Sequence, residues 1–462
     1  MDFHDVGVDD ILYQQHKVLT QWFPDLKKWM DEVPDPRSFC TYPVASLLSQ
    51  GMFLFLSKDS SRNMANNRAA QGNFYKENFS RFFEGMEWAH FDTAEDLYRR
   101  IDKKDIEEVK AQMVRSLIEK KRITTFRGYY LVAIDATGVT SYDQKLAGAK
   151  LTYKTSKNGK TTYLNIVLEA KIVTPEGLSI SIASEPLSNE EVEVYQKQDC
   201  ELKAFKRIAA KIKRMFPRLP VCLLLDGLYS KEPLFSICKS NNWKYITVLK
   251  DGCLKSLQED IKDTAETARI RFESIASVKQ GKGVVYAESR YQCIEELQYK
   301  DYTVHWIEGV CPKPRVKEGQ QVQMNRFVYL TNLPIERKRG ESKRIFIKRI
   351  VKAGRLRWKI ENEGFNTQKH KGYHLHHKFS EKSMEALHVY YILMQMAHIV
   401  NQIVEHSKSV VALLKRRRKL TIRYLWDRVR HVLESCLLHH DLLRMNKNRC
   451  QIRLAYKTNQ LE

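Results

Sequence analysis

The chain has 462 residues, of which 43% are hydrophobic and 10% aromatic, so it is long and apolar enough for two or three globular domains and is not an intrinsically disordered protein. Its formal net charge of +23 at pH 7 would destabilise the compact state through self-repulsion unless a polyanionic partner offset it. Nucleic acid is therefore the first expected partner, and an anionic membrane surface is the second.

Nine cysteines without a CxxC pair are typical of reduced thiols in a cytosolic protein. The acidic N-terminal sequence "MDFHDVGVDD" does not have the pattern of a signal peptide. The most apolar runs, "VASLLSQGMFLFL" and "ALHVYYILMQMAHIV", are too short or too polar to span a bilayer and predict buried helices. We expect a soluble, cytoplasmic protein.

Residues 1 to about 125 are predicted to be helical, because apolar residues recur every three or four positions in "SLLSQGMFLFL", "FYKENFSRFFEGM" and "DIEEVKAQMVRSLIEKK". From Tyr129 the pattern changes to strands. "YYLVAID" predicts a buried strand that ends in Asp135, Asn158-Gly159 predicts a hairpin turn, and "LSISIASE" alternates like a strand.

A helix, the strand "VCLLLD", a second helix and the strand "WKYITVLK" follow in that order. Antiparallel strands succeeded by alternating helices and strands predict a mixed α/β sheet with helices on its faces. Residues of about 251 to 335 are mostly β in pattern and predict an insertion, with "NRFVYLTNL" returning to the main sheet. From about Ile345 the pattern is helical to the end.

Positive charge is concentrated in the last quarter of the chain. Residues 341–462 hold 26 Lys and Arg against 10 Asp and Glu, which places 16 of the 23 net charges there. The run "KRRRK" from Lys415 to Lys419 is equally typical of a solvated helix face. The broad excess favours a surface that contacts nucleic-acid phosphates.

Two aspartates occupy the same position relative to a predicted strand. Asp135 ends "YYLVAID" and Asp226 ends "VCLLLD", and each is the first charge after a buried apolar run. Sites in α/β sheets are built at the C-terminal ends of parallel strands. An aspartate in that position also caps a following turn or helix, so capping is the alternative interpretation.

A glutamate lies within the basic stretch "AGRLRWKIENEGFNTQKHKG", residues 353–372. If this stretch is helical, Arg357 and Glu361 lie on one face at i,i+4, where an ordinary surface ion pair is one interpretation. In the other, Glu361 joins Asp135 and Asp226. Three convergent carboxylates suit a pair of divalent cations acting on a phosphodiester, with a nearby Arg on the phosphate oxygens.

These acids carry a resemblance to a known family. Asp135 in "IDATG", Asp226 in "LLLDGLYS" and Glu361 in "RWKIENEGFN" resemble the acidic triad of DDE transposases from bacterial insertion sequences. The blocks "QKQDCELKAFKRI", "FPRLPVCLLLDGLYS" and "WKYITVLKDG" are also similar to transposase catalytic domains. The resemblance covers roughly residues 130 to 250 and 325 to 400, with a vaguer likeness in the helical N-terminus.

The resemblance implies an RNase H-like mixed sheet, flanked by helices and interrupted by a β-rich insertion. It implies that the three acids bind two Mg²⁺ or Mn²⁺ ions and catalyse cleavage at transposon ends and strand transfer into target DNA. The expected regions are a helical DNA-binding region (1–125), the first part of the catalytic core (126–250), the insertion (251–325), the second part of the core (326–405) and a basic helical region (406–462).

In the family's signature helix an arginine precedes the catalytic glutamate by four residues, and Arg357 matches it. Lys369 and Lys371 are further candidates for DNA contact. Two positions depart from the signature, since Gly354 stands where it has a tyrosine and Gln368 where it has a lysine. The implied partners are double-stranded DNA and a second copy of the chain in the DNA complex, in the bacterial cytoplasm and on the nucleoid.

Other candidates have simpler interpretations. Four histidines between residues 370 and 377 match no zinc-module spacing, and we expect a basic loop that faces DNA. Trp358 is expected to be a core residue. The rival carboxylates are expected to be helix-start or surface acids: Glu185, Glu190, Asp199 and Glu201.

The alternative function is that of a domesticated or decayed transposase relative, which binds DNA without cleaving it. The presence of all three acids favours the transposase, because a decayed copy has no need to keep them.

Overall fold

The computed structural model describes most of the chain, namely residues 8–70, 73–146, 148–189, 200–264, 266–335, 342–416, 420–439 and 452–455. Within these ranges, no helix is both long and apolar enough to cross a membrane.

The described residues before the first strand are mostly helical, as the sequence predicts. Every residue of the helix with the sequence "VASLLSQGMFLFL" is buried, which agrees with its apolar character on all sides. The helices are α1 (Val8–Trp22), α2 (Leu26–Asp31), α3 (Val44–Leu56), α4 (Arg62–Ala70), α5 (Tyr75–Phe82), α6 (Phe91–Arg100) and α7 (Lys103–Glu119).

The centre of the fold is a mixed sheet. Its first strands are β1 (Tyr130–Tyr142), β2 (Thr152–Thr155), β3 (Thr161–Val173) and β4 (Ser179–Pro186). β3 is antiparallel to β1, β2 and β4. The hairpin between β2 and β3 turns at Asn158-Gly159, with Gly159 at a positive φ of 80°, and confirms the predicted turn.

The sheet continues through two βα units. These are α8 (Glu201–Met215), β5 (Val221–Leu225), α9 (Glu232–Asn241) and β6 (Lys244–Val248). β5 pairs in parallel with β1 on one side and with β6 on the other. The central strands therefore stand in the order β4-β3-β1-β5-β6, with β1, β5 and β6 parallel.

The residues predicted as an insertion extend this sheet. They form α10 (Lys255–Asp263), β7 (Ile270–Gln280), β8 (Gly283–Tyr299), β9 (Tyr302–Pro312) and β10 (Arg315–Val316), and β11 (Met324–Thr331) follows. β11 pairs with β6 and with β9, so the strand "NRFVYLTNL" does return to the main sheet. The described strands form one continuous mixed sheet of eleven, which confirms the predicted mixed α/β class.

The remaining described residues are mostly helical. They form α11 (Lys343–Arg355), α12 (Asn366–His370), α13 (Met384–Glu405), α14 (Lys408–Arg416) and α15 (Ile422–Ser435). α13 is buried along nearly its whole length and packs against α1, α3, α6 and α7. The helices from the two ends of the chain thus share one core.

Alternate residues of β1 and β5 face two different layers of helices, as the two-residue period of a strand requires. Ile134 and Leu223 belong to the core that contains α8 and α9. Ala133 and Leu224 belong to a second core that contains the apolar face of α11. The part of the sheet formed by β1 and β5 is thus covered by helices on both faces.

Gly354 near the end of α11 allows a close approach to β11. A Cβ atom at this position would lie 2.6–2.9 Å from ring carbons of Tyr329. We expect Gly354→Ala to lower the free energy of unfolding by about 1–3 kcal/mol, because overpacking outweighs the better helix propensity of alanine. Urea denaturation measures this difference.

Two further variants check the cause of that effect. In the Tyr329→Leu background, Gly354→Ala should cost much less, since the ring that it meets is gone. Gly138→Ala is the matched control, because an added Cβ there meets nothing within 4 Å. A Gly354→Ala protein as stable as the wild type would contradict the close packing.

Candidate active site

The two strand-end aspartates lie on neighbouring parallel strands. The β1–β5 ladder ends at the pair Ala133–Leu224, and Asp135 and Asp226 each stand two residues further along. Both acids continue the alternation of residues that face α11. The sequence pattern therefore brings the two carboxylates to one edge of the sheet and to one of its faces.

The third acid is carried by an irregular helical segment. After α11 the chain makes a 3₁₀ turn over Leu356–Trp358 and a π-helical turn over Ile360–Phe365. Leu356, Ile360 and Phe365 are buried in the core that covers β1 and β5. This packing holds the segment over the strand ends. π-helical turns inside helices are frequent at functional sites.

Arg357 joins two of the acids. One of its guanidinium nitrogens, Nη1, lies 3.5 Å from Oδ2 of Asp135 and 3.4 Å from Oε1 of Glu361. Arg357 is only 7% exposed, whereas the side chain of Glu361 is 36% exposed, so this i,i+4 pair lies at the edge of the core and is only partly the surface ion pair of the alternative interpretation. Trp358, expected in the core, is 50% exposed and lies 4.5 Å from the guanidinium group in a cation–π contact.

The electrostatics of Asp135 are unusual for an aspartate. Burial, together with the neighbouring charge of Glu361, raises its pKa from the ordinary value of 3.8 to about 7, against the opposing effect of Arg357. Burial is the largest cause, and the attraction of Arg357 is stronger than the repulsion of Glu361 but does not cancel the effect of burial on the pKa. A carboxyl group whose pKa is strongly raised is typical of functional sites.

Asp226 has different partners. Its Oδ1 accepts a hydrogen bond of 2.8 Å from the backbone N–H of Leu228, and its Oδ2 lies 3.3 Å from Nζ of Lys250. The first contact is the cap-like role of the alternative interpretation. Among the described residues, no three His, Cys, Asp or Glu side chains form a preassembled metal-binding group. Asp135 and Glu361 thus form a close pair around Arg357, and Asp226, on the neighbouring strand, has Lys250 as its own partner.

A fourth acid belongs to the same neighbourhood. Glu201 begins α8, as expected of a helix-start acid, but it is half-buried and accepts a hydrogen bond of 3.1 Å from the Tyr229 hydroxyl. Burial and the charge of Asp226 raise the pKa of Glu201. In the sequence, only the position of Glu201 at the start of the helix before β5 distinguishes it from other surface acids.

The other rival acids lie elsewhere or outside the described residues. Glu185 pairs with Arg207 at 2.7 Å and with Lys211 at 2.9 Å. Glu190 and Asp199, like part of the run Lys415–Lys419, fall outside the described residues.

The two positions that depart from the family signature are both enclosed. Gly354 lies beneath the ring of Tyr329. Gln368 is fully buried, and its Nε2 donates to Oε1 of Gln395 at 2.7 Å. Lys171 of β3 donates to the same oxygen at 2.8 Å, and burial lowers its pKa to about 8. A π-helical turn shifts the helical register, so position 368 does not lie on the face of Glu361.

The other predicted DNA contacts lie on the surface. Lys369 is half-exposed and Lys371 is exposed. In the histidine-rich loop, Nδ1 of His376 lies 3.1 Å from the carbonyl oxygen of Val139. Burial and neighbouring positive charge lower the pKa of His374, so this residue gains charge only at lower pH.

No model of a known protein family matches the chain, and no curated protein is significantly similar to it. The geometry of the acids and the pattern of the sequence therefore carry the functional inference.

The raised pKa of Asp135 predicts a stability cost at neutral pH. Because its pKa is higher in the folded protein, the fold favours the protonated form, so this stabilisation is complete below about pH 4 and is lost as the pH rises through 7. We expect Asp135→Asn to raise the free energy of unfolding by about 1–3 kcal/mol at pH 8 and to have little effect below pH 4.

Urea denaturation at several pH values tests this expectation. Asp92→Asn is the control, since the side chain of Asp92 is 84% exposed. A loss of stability in Asp135→Asn at pH 8 would show that the carboxylate is a structural partner of Arg357 instead.

Proposed function

We propose that the chain is a DDE transposase that cleaves DNA at transposon ends and joins the freed ends to target DNA. The convergence of Asp135 and Glu361 on the buried Arg357, beside Asp226 at the C-terminal ends of two parallel strands, carries this proposal. Stability alone does not explain such an acid pair, because burying two carboxylates close together costs free energy.

The strand order supports an RNase H-like catalytic core. Leaving out the short hairpin strand β2, the first five strands in chain order stand as 3-2-1-4-5, the second being antiparallel to the first. The proposal assigns the first acid to the first strand, the second to the end of the fourth, and the third to a helix after the sheet extension. That is the organisation implied by the sequence resemblance.

The donor set fits hard divalent cations such as Mg²⁺ or Mn²⁺. Carboxylate oxygens are the preferred ligands of such ions, and a bound cation would favour the ionised form of Asp135, which burial disfavours. Asp135, Asp226 and Glu361 would hold two ions, with Glu201 close by. When bound, the ions would supply the Lewis acid that activates a water and stabilises the leaving oxygen of a phosphodiester.

The chain's own cations would position the DNA. Arg357 contacts Asp135 and Glu361, and Lys250 contacts Asp226, so both cations stand where phosphate oxygens would approach. A planar guanidinium suits two phosphate oxygens at once. Lys369 and Lys371 are the proposed outer contacts, and the partners are double-stranded DNA and a second copy of the chain.

Cleavage of supercoiled plasmid tests the enzyme. With Mg²⁺ or Mn²⁺ the wild type should nick the plasmid, and Asp135→Asn, Asp226→Asn and Glu361→Gln should reduce nicking to background. Arg357→Ala should reduce it by about 100-fold or more, the usual effect of removing one group that stabilises developing charge. Asp92→Asn should nick like the wild type.

Binding measured in parallel separates the two functional hypotheses. If the wild type binds DNA and nicks with neither metal, the enzyme is excluded and a non-catalytic DNA-binding protein remains.

The basic surface predicts a steep salt dependence. A protein that neutralises six or more phosphates releases their counterions, so affinity for duplex DNA should fall by about 1,000-fold between roughly 50 and 200 mM salt. Fluorescence anisotropy with a labelled duplex measures this slope, and anionic vesicles serve as the competing surface. A flat response, or preference for the vesicles, would contradict nucleic acid as the partner.

A further inference from the structure

A fourth carboxylate reaches the candidate active site from the other layer of helices. Glu361 comes from the segment that packs in the core with α11. Glu201 stands in the first turn of α8, whose apolar side packs in the core on the opposite face of β1 and β5. The strand ends that carry Asp135 and Asp226 therefore have an acid-bearing helical segment on each side.

Tyr229 joins Glu201 to the turn that carries Asp226. Its hydroxyl donates to Oε2 of Glu201 at 3.1 Å, and its ring centroid lies 5.2 Å from that of Phe205, one helical turn after Glu201. The backbone N–H of Tyr229 donates to the carbonyl oxygen of Asp226 at 3.2 Å. Because Tyr229 is only 2% exposed, the first turn of α8 and the Asp226 turn are held together within the core.

The charges around the Tyr229 hydroxyl relate Glu201 to the other acids. Burial first, and then the carboxylates of Glu201, Asp135 and Asp226, raise the pKa of Tyr229. The phenol therefore stays protonated and remains a hydrogen-bond donor. Three carboxylates are thus within electrostatic reach of one buried hydroxyl group.

Glu201 differs from the other acids of the site in having no cationic partner. The other three each contact a lysine or an arginine. Within the part of the chain that the structure describes, Glu201 forms no ion pair, and its one side-chain hydrogen bond is the bond from Tyr229 to Oε2. Buried carboxylates are usually paired with a cation or bound to a metal ion. The other oxygen, Oε1, is left for a ligand from outside the chain.

An acid at the start of a helix has a simpler role, because it stabilises the partial positive charge of the helix end. Glu232, in the first turn of α9, is an example, since it is exposed and forms an ion pair with Lys300. Glu201 is instead half-buried and bonded to Tyr229. The helix end explains the charge of Glu201 but not its burial beside the active site.

We propose that Glu201 is a fourth acid of the metal site and that Tyr229 positions it. This inference rests on the proposed function, since it concerns the Mg²⁺ or Mn²⁺ ions that would be held there. Such ions prefer carboxylate oxygens, and Oε1 of Glu201 would share one of them with Asp226. Tyr229 orients the carboxylate by its hydrogen bond to Oε2.

Titration of the full chain with Mn²⁺ in the absence of DNA, followed by the electron paramagnetic resonance signal of the free ion, tests this role. Glu201→Gln keeps the size of the side chain and an oxygen for Tyr229 but removes the charge. Tyr229→Phe removes the hydrogen bond and keeps the ring that packs on Phe205. Each variant should weaken Mn²⁺ binding by about tenfold or more, as loss of a residue around a metal site usually does.

Glu232→Gln is the matched control, because it removes the same charge from the first turn of another helix. It should bind Mn²⁺ as the wild type does, whereas Asp226→Asn should bind it weakly. If Asp226→Asn weakens binding and Glu201→Gln does not, Glu201 is a helix-start acid only and the proposal is overturned. Absence of Mn²⁺ binding to the wild type, or an equal loss in Glu232→Gln, would overturn it as well.

Plasmid nicking by the same variants separates this inference from the proposed enzyme. If the wild type never nicks DNA but loses Mn²⁺ affinity on Glu201→Gln, the nuclease fails and the metal-binding role of Glu201 stands. If the wild type nicks DNA and Glu201→Gln nicks equally well at every Mn²⁺ concentration, the nuclease stands and the role of Glu201 fails.

Discussion

The candidate site depends on one buried arginine. Arg357 stands between Asp135 and Glu361, where a half-buried strand end meets a helical segment, and its guanidinium group holds two carboxylates that would otherwise repel each other. The apolar residues on either side, Leu356 and Ile360, fix this position by packing on β1 and β5. Packing of the helix on the sheet therefore determines how closely the acids approach.

The acids of the candidate site form a small negatively charged region in a chain that is positively charged as a whole. The chain carries a net charge of +23, yet acidic residues gather at the C-terminal ends of β1 and β5. Each of the two strand-end acids is touched by a cation, Arg357 or Lys250. The two cations are placed differently, because Lys250 is more exposed than Asp226, whereas Arg357 is more buried than both of the acids that it contacts.

The sequence predicted the parts of the site that depend on local pattern. Two strand-end aspartates follow from apolar runs that stop at a charge, and their adjacency follows because both strands are parallel neighbours. Glu201 and the burial of Gln368 did not follow, because they depend on how α8 and a π-helical turn are placed in three dimensions. The continuation of the main sheet through the strands of the insertion was not predicted either. Pairing at a sheet edge does not change the sequence pattern of the strands that pair.

The two departures from the family signature have a common physical explanation. A tyrosine at position 354 would collide with Tyr329, whose ring already fills that space from β11. A lysine at position 368 would add a second ammonium group next to Lys171, which already donates to Gln395 in the core. Two buried cations around one amide oxygen would be strongly unfavourable, whereas a neutral glutamine completes the hydrogen bonds. At both positions a side chain from the sheet, Tyr329 or Lys171, already occupies the space or makes the contact, so the helix carries a residue that fits beside it.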